Sequence, residues 1–154
     1  MDEVLVKING ELHYLWRAID HEGEVLECYV SKRRTKKAAL IFLKKSMKKH
    51  GVPKLIVTDK LRSYGAALKE LDCSNLQSTS QYLNNLCESS HLPFRRKERS
   101  MQKFKKSLIL QLFTSIQSQI YNHFNHQRHL RNRATFKQLR NESLHEWRGF
   151  CVAG

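Results

Sequence analysis

Residues 53–68, PKLIVTDKLRSYGAAL, run a short apolar stretch straight into an aspartate. KLIVT is too short and too β-branched for a helix and reads as a buried strand. From Arg62 to Leu71, Ala66, Ala67, Leu68 and Leu71 recur at helical spacing, which predicts a helix. Asp59 therefore stands at a strand-to-helix junction. One reading makes it a helix N-cap. The other places a working carboxylate at the carboxyl end of a central strand, where open α/β sheets hold their chemistry.

Upstream, EVLVKING alternates apolar and polar residues and stops at Asn9-Gly10, a strong hairpin dipeptide. LHYLWRAID and VLECYVSK read as two further strands separated by a turn at HEGE. From Thr35 the period changes. Ala39, Phe42, Leu43, Ser46 and Met47 mark an amphipathic helix whose outer face carries Lys44, Lys45, Lys48 and Lys49, and Gly51 and Pro53 end it. Downstream, residues 72–81 fit either a short edge strand or a loop. The segment YLNNLCESSHLPFRRKERSM reads as helical with an interruption at Pro93. A long helix over FKKSLILQLFTSIQSQIYNHFN follows, then an amphipathic one carrying Phe136, Leu139, Leu144 and Trp147. Trp16 and Trp147 are both expected in the core.

The order β-β-β-α-β-α, then mostly helix, is that of the ribonuclease-H-like fold, an α/β architecture with a mixed sheet flanked by helices. Residues 1–100 would form this core, and 101–154 a C-terminal helical extension of the same domain.

Composition narrows the partners. The 154 residues carry 28 Lys+Arg against 14 Asp+Glu, a net charge of +14. Residues 1–30 hold seven acids and two bases, while 31–154 hold 26 bases and seven acids. Such a surface attracts polyanions, nucleic acid first. Cys28, Cys73, Cys87 and Cys151 show no zinc spacing and are expected to be reduced thiols. No apolar run approaches the ~20 residues of a membrane span, so a soluble, intracellular chain with no membrane partner is expected.

In the predicted topology Asp2 on the first strand, Asp59 at the end of the fourth and Glu88 on a later helical segment converge at one sheet edge. Three carboxylates repel one another unless cations neutralise them, and hard oxygen ligands suit Mg²⁺ or Mn²⁺. Two such ions can activate water and stabilise the leaving oxygen of a phosphodiester.

The stretches DEVLVKINGELHYLWRAIDHEGEVLE, KKAALIFLKKSMKKHGVPKLIVTDKLRSYGAALKEL and YLNN…E…HLPFRRKERSM resemble the bacterial insertion-sequence transposases of the insertion-sequence-six family. YNHFNHQRHL and LHEWRGFC are similar to the C-terminal part of one subgroup. The resemblance implies an Asp-Asp-Glu (DDE) transposase: nicking at transposon ends, joining of 3′ ends to target DNA, and replicative cointegrate formation. Its catalytic, metal-holding triad falls on Asp2, Asp59 and Glu88, with Mg²⁺ or Mn²⁺, two ions, as cofactor. DNA is the implied partner, with a homo-oligomer at full length and a cytoplasmic, nucleoid-associated location. Two departures stand out. Only 28 residues separate Asp59 from Glu88, fewer than is common in the family, and Ser107-Leu108-Ile109 replaces a commonly more basic stretch. The family also places a helix-turn-helix ahead of the first Asp, whereas this sequence starts one residue before it. The isolated chain is therefore expected to fold and bind DNA without end specificity, with little transposition activity.

DNA contacts are expected from Lys60, Arg62, His91, Arg95, Arg96, Lys97, Arg99 and Lys103, the basic residues flanking Asp59 and Glu88. The α-helical lysines 44–49 read as a solvated face. His123, His126 and His129 read as a solvated edge rather than a metal cluster, because their three-residue spacing drifts around a helix. Two alternatives stay open: an inactive remnant that only binds DNA, and a ribonuclease-H-like nuclease.

Overall fold

Val4, Val6 and Ile8 bury one face of the first strand, and this alternation sets the sheet. The computed structural model describes residues 1–59, 61–80, 91–100, 104–126 and 130–152. In it β1 (Asp2–Ile8) pairs antiparallel with β2 (Glu11–Ile19) around Asn9 and Gly10. Both turn residues have positive φ, 50° and 83°, as a primed two-residue hairpin requires. β3 (Val25–Ser31) joins β2 antiparallel, with a register shift at Ala18/Ile19.

Helices cover both faces of this sheet. On one side lie α1 (Lys36–His50) and α2 (Arg62–Glu70). Thr35 caps α1 by accepting the Ala38 N–H, and Gly51, at φ 80°, closes it. Phe42 and Tyr64 meet Trp16 at ring distances of 6.1 and 5.4 Å, and the indole N–H donates to Ser31 Oγ at 2.8 Å. On the other side α3 (His91–Ser100) and α4 (Ser107–Phe124) bring Phe94 and Leu110 against Val4, Val6, Ile8, Leu15 and Val25. Leu15 and Trp16 are adjacent and both fully buried, because the strand sends one to each core. The helix α4 thus completes the second core.

α4 also fastens the free edge of β3. Asn122 accepts the Val25 N–H and donates to the Val25 carbonyl. Gln111 accepts the Val30 N–H and donates to the Cys28 carbonyl. Eleven helical residues at about 1.5 Å and five strand residues at about 3.3 Å cover the same length, roughly 16 Å, so both amides reach the strand together.

The expected single mixed sheet is instead two pieces. β4 (Ile56–Val57) pairs in parallel with β5 (Gln77–Ser78), which follows a 3₁₀ turn at Ser74–Leu76. The ambiguous segment 72–81 therefore supplies a strand, and KLIVT contributes only two residues to one, since Leu55 is exposed. The pieces meet where the Met1 amino group donates to the Val57 carbonyl at 2.5 Å. β4 reaches only the start of β1, so no ladder forms between them.

Pro93 lies in the first turn of α3, where its fixed φ suits a helix and its missing N–H is not needed; the residues ahead of α3 in the expected segment lie outside the described residues. Two further expectations are corrected. Trp147 is not core: on α5 (Arg133–Val152) it is 36% exposed, touching Phe124 at 5.9 Å. His123 and His126 are not a solvated edge, because both are half-buried and bond Ser143 of α5, at its carbonyl and its hydroxyl, each at 2.9 Å. His129, Cys87 and residues 81–90 lie outside the described residues. Among those described, no helix is long and apolar enough to cross a membrane.

Candidate metal centre

The amino-terminal end of β1 and the carboxyl-terminal end of β4 lie side by side, and each delivers acid there. Asp2 stands in register with Arg17 of β2, a cation 3% exposed. Asp59 follows β4 by two residues, with its Oδ1 accepting the Leu61 N–H at 3.1 Å. The N-cap position of α2 belongs to Leu61, which makes no side-chain cap. Asp59 is therefore not the cap of that helix. It turns the chain out of β4 and leaves its second oxygen to the site.

Asp2, Glu3 and Asp59 each place a carboxylate oxygen within 4.8 Å of the others. Glu3 was not anticipated, since neighbours on a strand send side chains to opposite faces and only Asp2 was assigned to the site. At the end of β1 both acids nonetheless reach Asp59. The Glu3 side chain is 4% exposed and contacts the Arg34 guanidinium, which also lies 3.3 Å from Asp59 Oδ2. Burial, then the Asp59 charge, pushes the Glu3 carboxyl up to about 7 despite Arg34. Its Oε2 is buried with no hydrogen-bond partner among the described residues.

His91, at the start of α3, brings Nδ1 to 3.9 Å from Asp2 Oδ2. Burial, then Arg17 and Arg95, lowers its pKa to about 4, so at neutral pH it is an uncharged neighbour of Asp2. Arg95 is turned inward: it donates to the Leu5 carbonyl at 2.7 Å and pairs with Glu98. Arg62, Arg96, Lys97 and Arg99 are at least partly exposed. Glu88, Lys60 and Lys103 lie outside the described residues.

The donor set fits a hard divalent cation: three carboxylates in reach of one another, and one buried oxygen with nothing to bond among the described residues. Glu3 and Arg34 escaped the sequence reading because nothing local marks them. The one available signal was the unbroken pair Asp2-Glu3 at the head of an otherwise alternating strand.

Comparison with known proteins gives the chain a family. The chain belongs to the DDE domain family of insertion-sequence transposases, whose model matches residues 1–127. The transposase for insertion sequence-like element IS431mec of Staphylococcus aureus is 37% identical over 99 residues, 59% of this chain and 43% of that protein. The transposase for insertion sequence element IS257 in transposon Tn4003, also from S. aureus, matches to the same extent. Uncharacterized protein pYV0051 of Yersinia pseudotuberculosis is 40% identical over 74 residues, 46% of this chain and 69% of that protein. The chain spans less than half the length of the curated transposases it matches. No solved structure gives a significant match. The DDE class works with divalent metal ions.

Proposed function

We propose that this chain is the catalytic domain of a DDE transposase with a ribonuclease-H-like fold, which nicks DNA at transposon ends and joins the 3′ ends to target DNA. The observation that carries the reading is the meeting of Asp2 and Asp59, from the two strand ends where that fold holds its metal, inside a family match over residues 1–127. Asp2 and Asp59 would hold Mg²⁺ or Mn²⁺, with Glu88 as the third ligand of the triad. Two such ions would supply Lewis acidity for attack on phosphorus by water and then by a 3′-hydroxyl.

The chain's own residues do the positioning. The Leu61 N–H holds the Asp59 carboxylate in orientation. Uncharged His91 covers Asp2 without adding a cation to the site. Arg62, Arg96, Lys97 and Arg99, with Lys60 and Lys103, contact DNA phosphates and bring the strand to the acids. With DNA as substrate, the proposed location is cytoplasmic, and a homo-oligomer would bring two ends together.

The test is a joining assay with labelled oligonucleotides that carry pre-cut 3′ ends, a plasmid target, and Mg²⁺ or Mn²⁺. Joined products that disappear with Asp59→Asn are expected, a loss of at least ~100-fold. Hydrolysis without joining would make the protein a nuclease. DNA binding with neither would leave a binding module.

A further inference from the structure

Arg34 is the feature of the centre that the metal-holding role does not use. It sits in the link between β3 and α1, where its backbone neighbours are fixed: Ser31 Oγ donates to the Arg33 carbonyl, and Thr35 caps α1. Its side chain is not enclosed, being 39% exposed. The guanidinium reaches from the solvent side to two acids of different elements, Glu3 of β1 and Asp59 after β4. Both Asp59 oxygens are thereby engaged, Oδ1 by the Leu61 N–H and Oδ2 by Arg34.

A guanidinium can satisfy two carboxylates at once, and it is always charged. A divalent ion between Asp2 and Asp59 would lie within a few ångströms of it. Two cations at that range in a partly buried site repel strongly. The second cation nearby, Arg17, stands opposite Asp2 on β2 and is 3% exposed, so it has no path out. Arg34 has one.

We propose that Arg34 is an internal counter-cation that holds the acids together without metal and must withdraw toward solvent before a divalent ion binds. The inference rests on reading Asp2 and Asp59 as the ion's ligands. Its consequence is that Arg34 opposes metal binding while supporting the metal-free fold. Removing the charge trades one property against the other, which a purely structural arginine would not do.

The test is Mn²⁺ binding to the purified chain, followed by the loss of the free-Mn²⁺ electron paramagnetic resonance signal, for wild type, Arg34→Gln and Arg34→Lys. Arg34→Gln is expected to bind Mn²⁺ more tightly, by about 5- to 150-fold, the usual range for coupling between two sites. Its metal-free melting temperature should fall, and the rise on adding Mn²⁺ should exceed that of wild type. Asp59→Asn placed on Arg34→Gln should remove the gain, which locates the ion. Should Arg34→Gln fail to fold, Arg34→Lys decides in the same direction: a point charge cannot fork between Glu3 and Asp59, so Mn²⁺ binds more tightly than in wild type. Equal or weaker binding in the folded variant, with wild type binding normally, overturns the role of Arg34 alone. Absence of Mn²⁺ binding in wild type and variant alike overturns the metal centre, and this inference with it.

Discussion

Arg95 and Arg96 are neighbours with opposite duties. Both read as phosphate contacts in the sequence, yet Arg95 directs its donors to the Leu5 carbonyl and Glu98, while Arg96 is exposed. Arg95→Ala should therefore cost about 1–3 kcal/mol of folding stability, the scale of a charged hydrogen bond, and leave the salt dependence of DNA binding unchanged. Chemical denaturation beside a salt titration separates the two. Cys28 offers a second single-residue test. Burial raises its thiol pKa, and the Ser118 hydroxyl lies at 3.3 Å. The folded state thus keeps the thiol protonated. The unfolded chain ionises near the ordinary value of 9, so this residue's contribution to stability is intact below that pH and declines above it. Alkylation at pH 8 should mark exposed Cys151 at once and Cys28 only at the rate of opening, which mass spectrometry of timed samples would show. Rapid labelling of Cys28 in the folded chain would contradict the packing of β3 on α4.

At the level of elements, the parts built on local rules were readable and the parts built on long-range geometry were not. The hairpin at Asn9-Gly10 and the helix between Thr35 and Gly51 carry their turn and cap chemistry in the sequence, and both formed where that chemistry put them. β4 and β5 are two residues each; so short a pairing leaves no periodicity to read. The carboxylates divide the same way. Asp59 announced itself by ending an apolar run, whereas Glu3 joins the site only because the start of β1 lies beside the end of β4. α5 misled for a related reason: its amphipathic spacing implied a buried stripe, but Ser143 is its one buried residue among those described. The register between α4 and β3 rests on Gln111 and Asn122. Replacing both by Ala removes the four hydrogen bonds to β3 and should cost about 2–4 kcal/mol, near 1 kcal/mol for each. Denaturant midpoints of the single and double variants would show whether the two amides add.

For the molecule as a whole, charge is the dominant variable. Residues 31–154 carry 26 bases against seven acids within a whole-chain net charge of +14, and this excess should make duplex binding steeply dependent on salt. Each cation that neutralises a DNA phosphate adds about 0.9 to the steepness of log K against log salt. Arg96→Ala with Arg99→Ala should flatten it by roughly 2, measured by fluorescence anisotropy at several salt concentrations. An unchanged slope would move the DNA path away from α3. The same excess has a second effect, because it discourages two copies from approaching.

That discouragement is not the molecule's only defence, and the grip of α4 on β3 shows why one is needed. β3 is the outer strand of its sheet, and an outer strand with bare amides is a template on which another chain can add itself. Every outward group named from Val25 to Val30 meets a side chain instead: Asn122, Gln111, His50 at the Leu26 carbonyl and the Glu27 carboxylate at the Cys28 N–H. Bound to DNA as proposed, the repulsive charge would be neutralised just when many copies could gather on one polymer. These few amides, an imidazole and a carboxylate would then block the β3 edge against strand addition by a neighbouring copy.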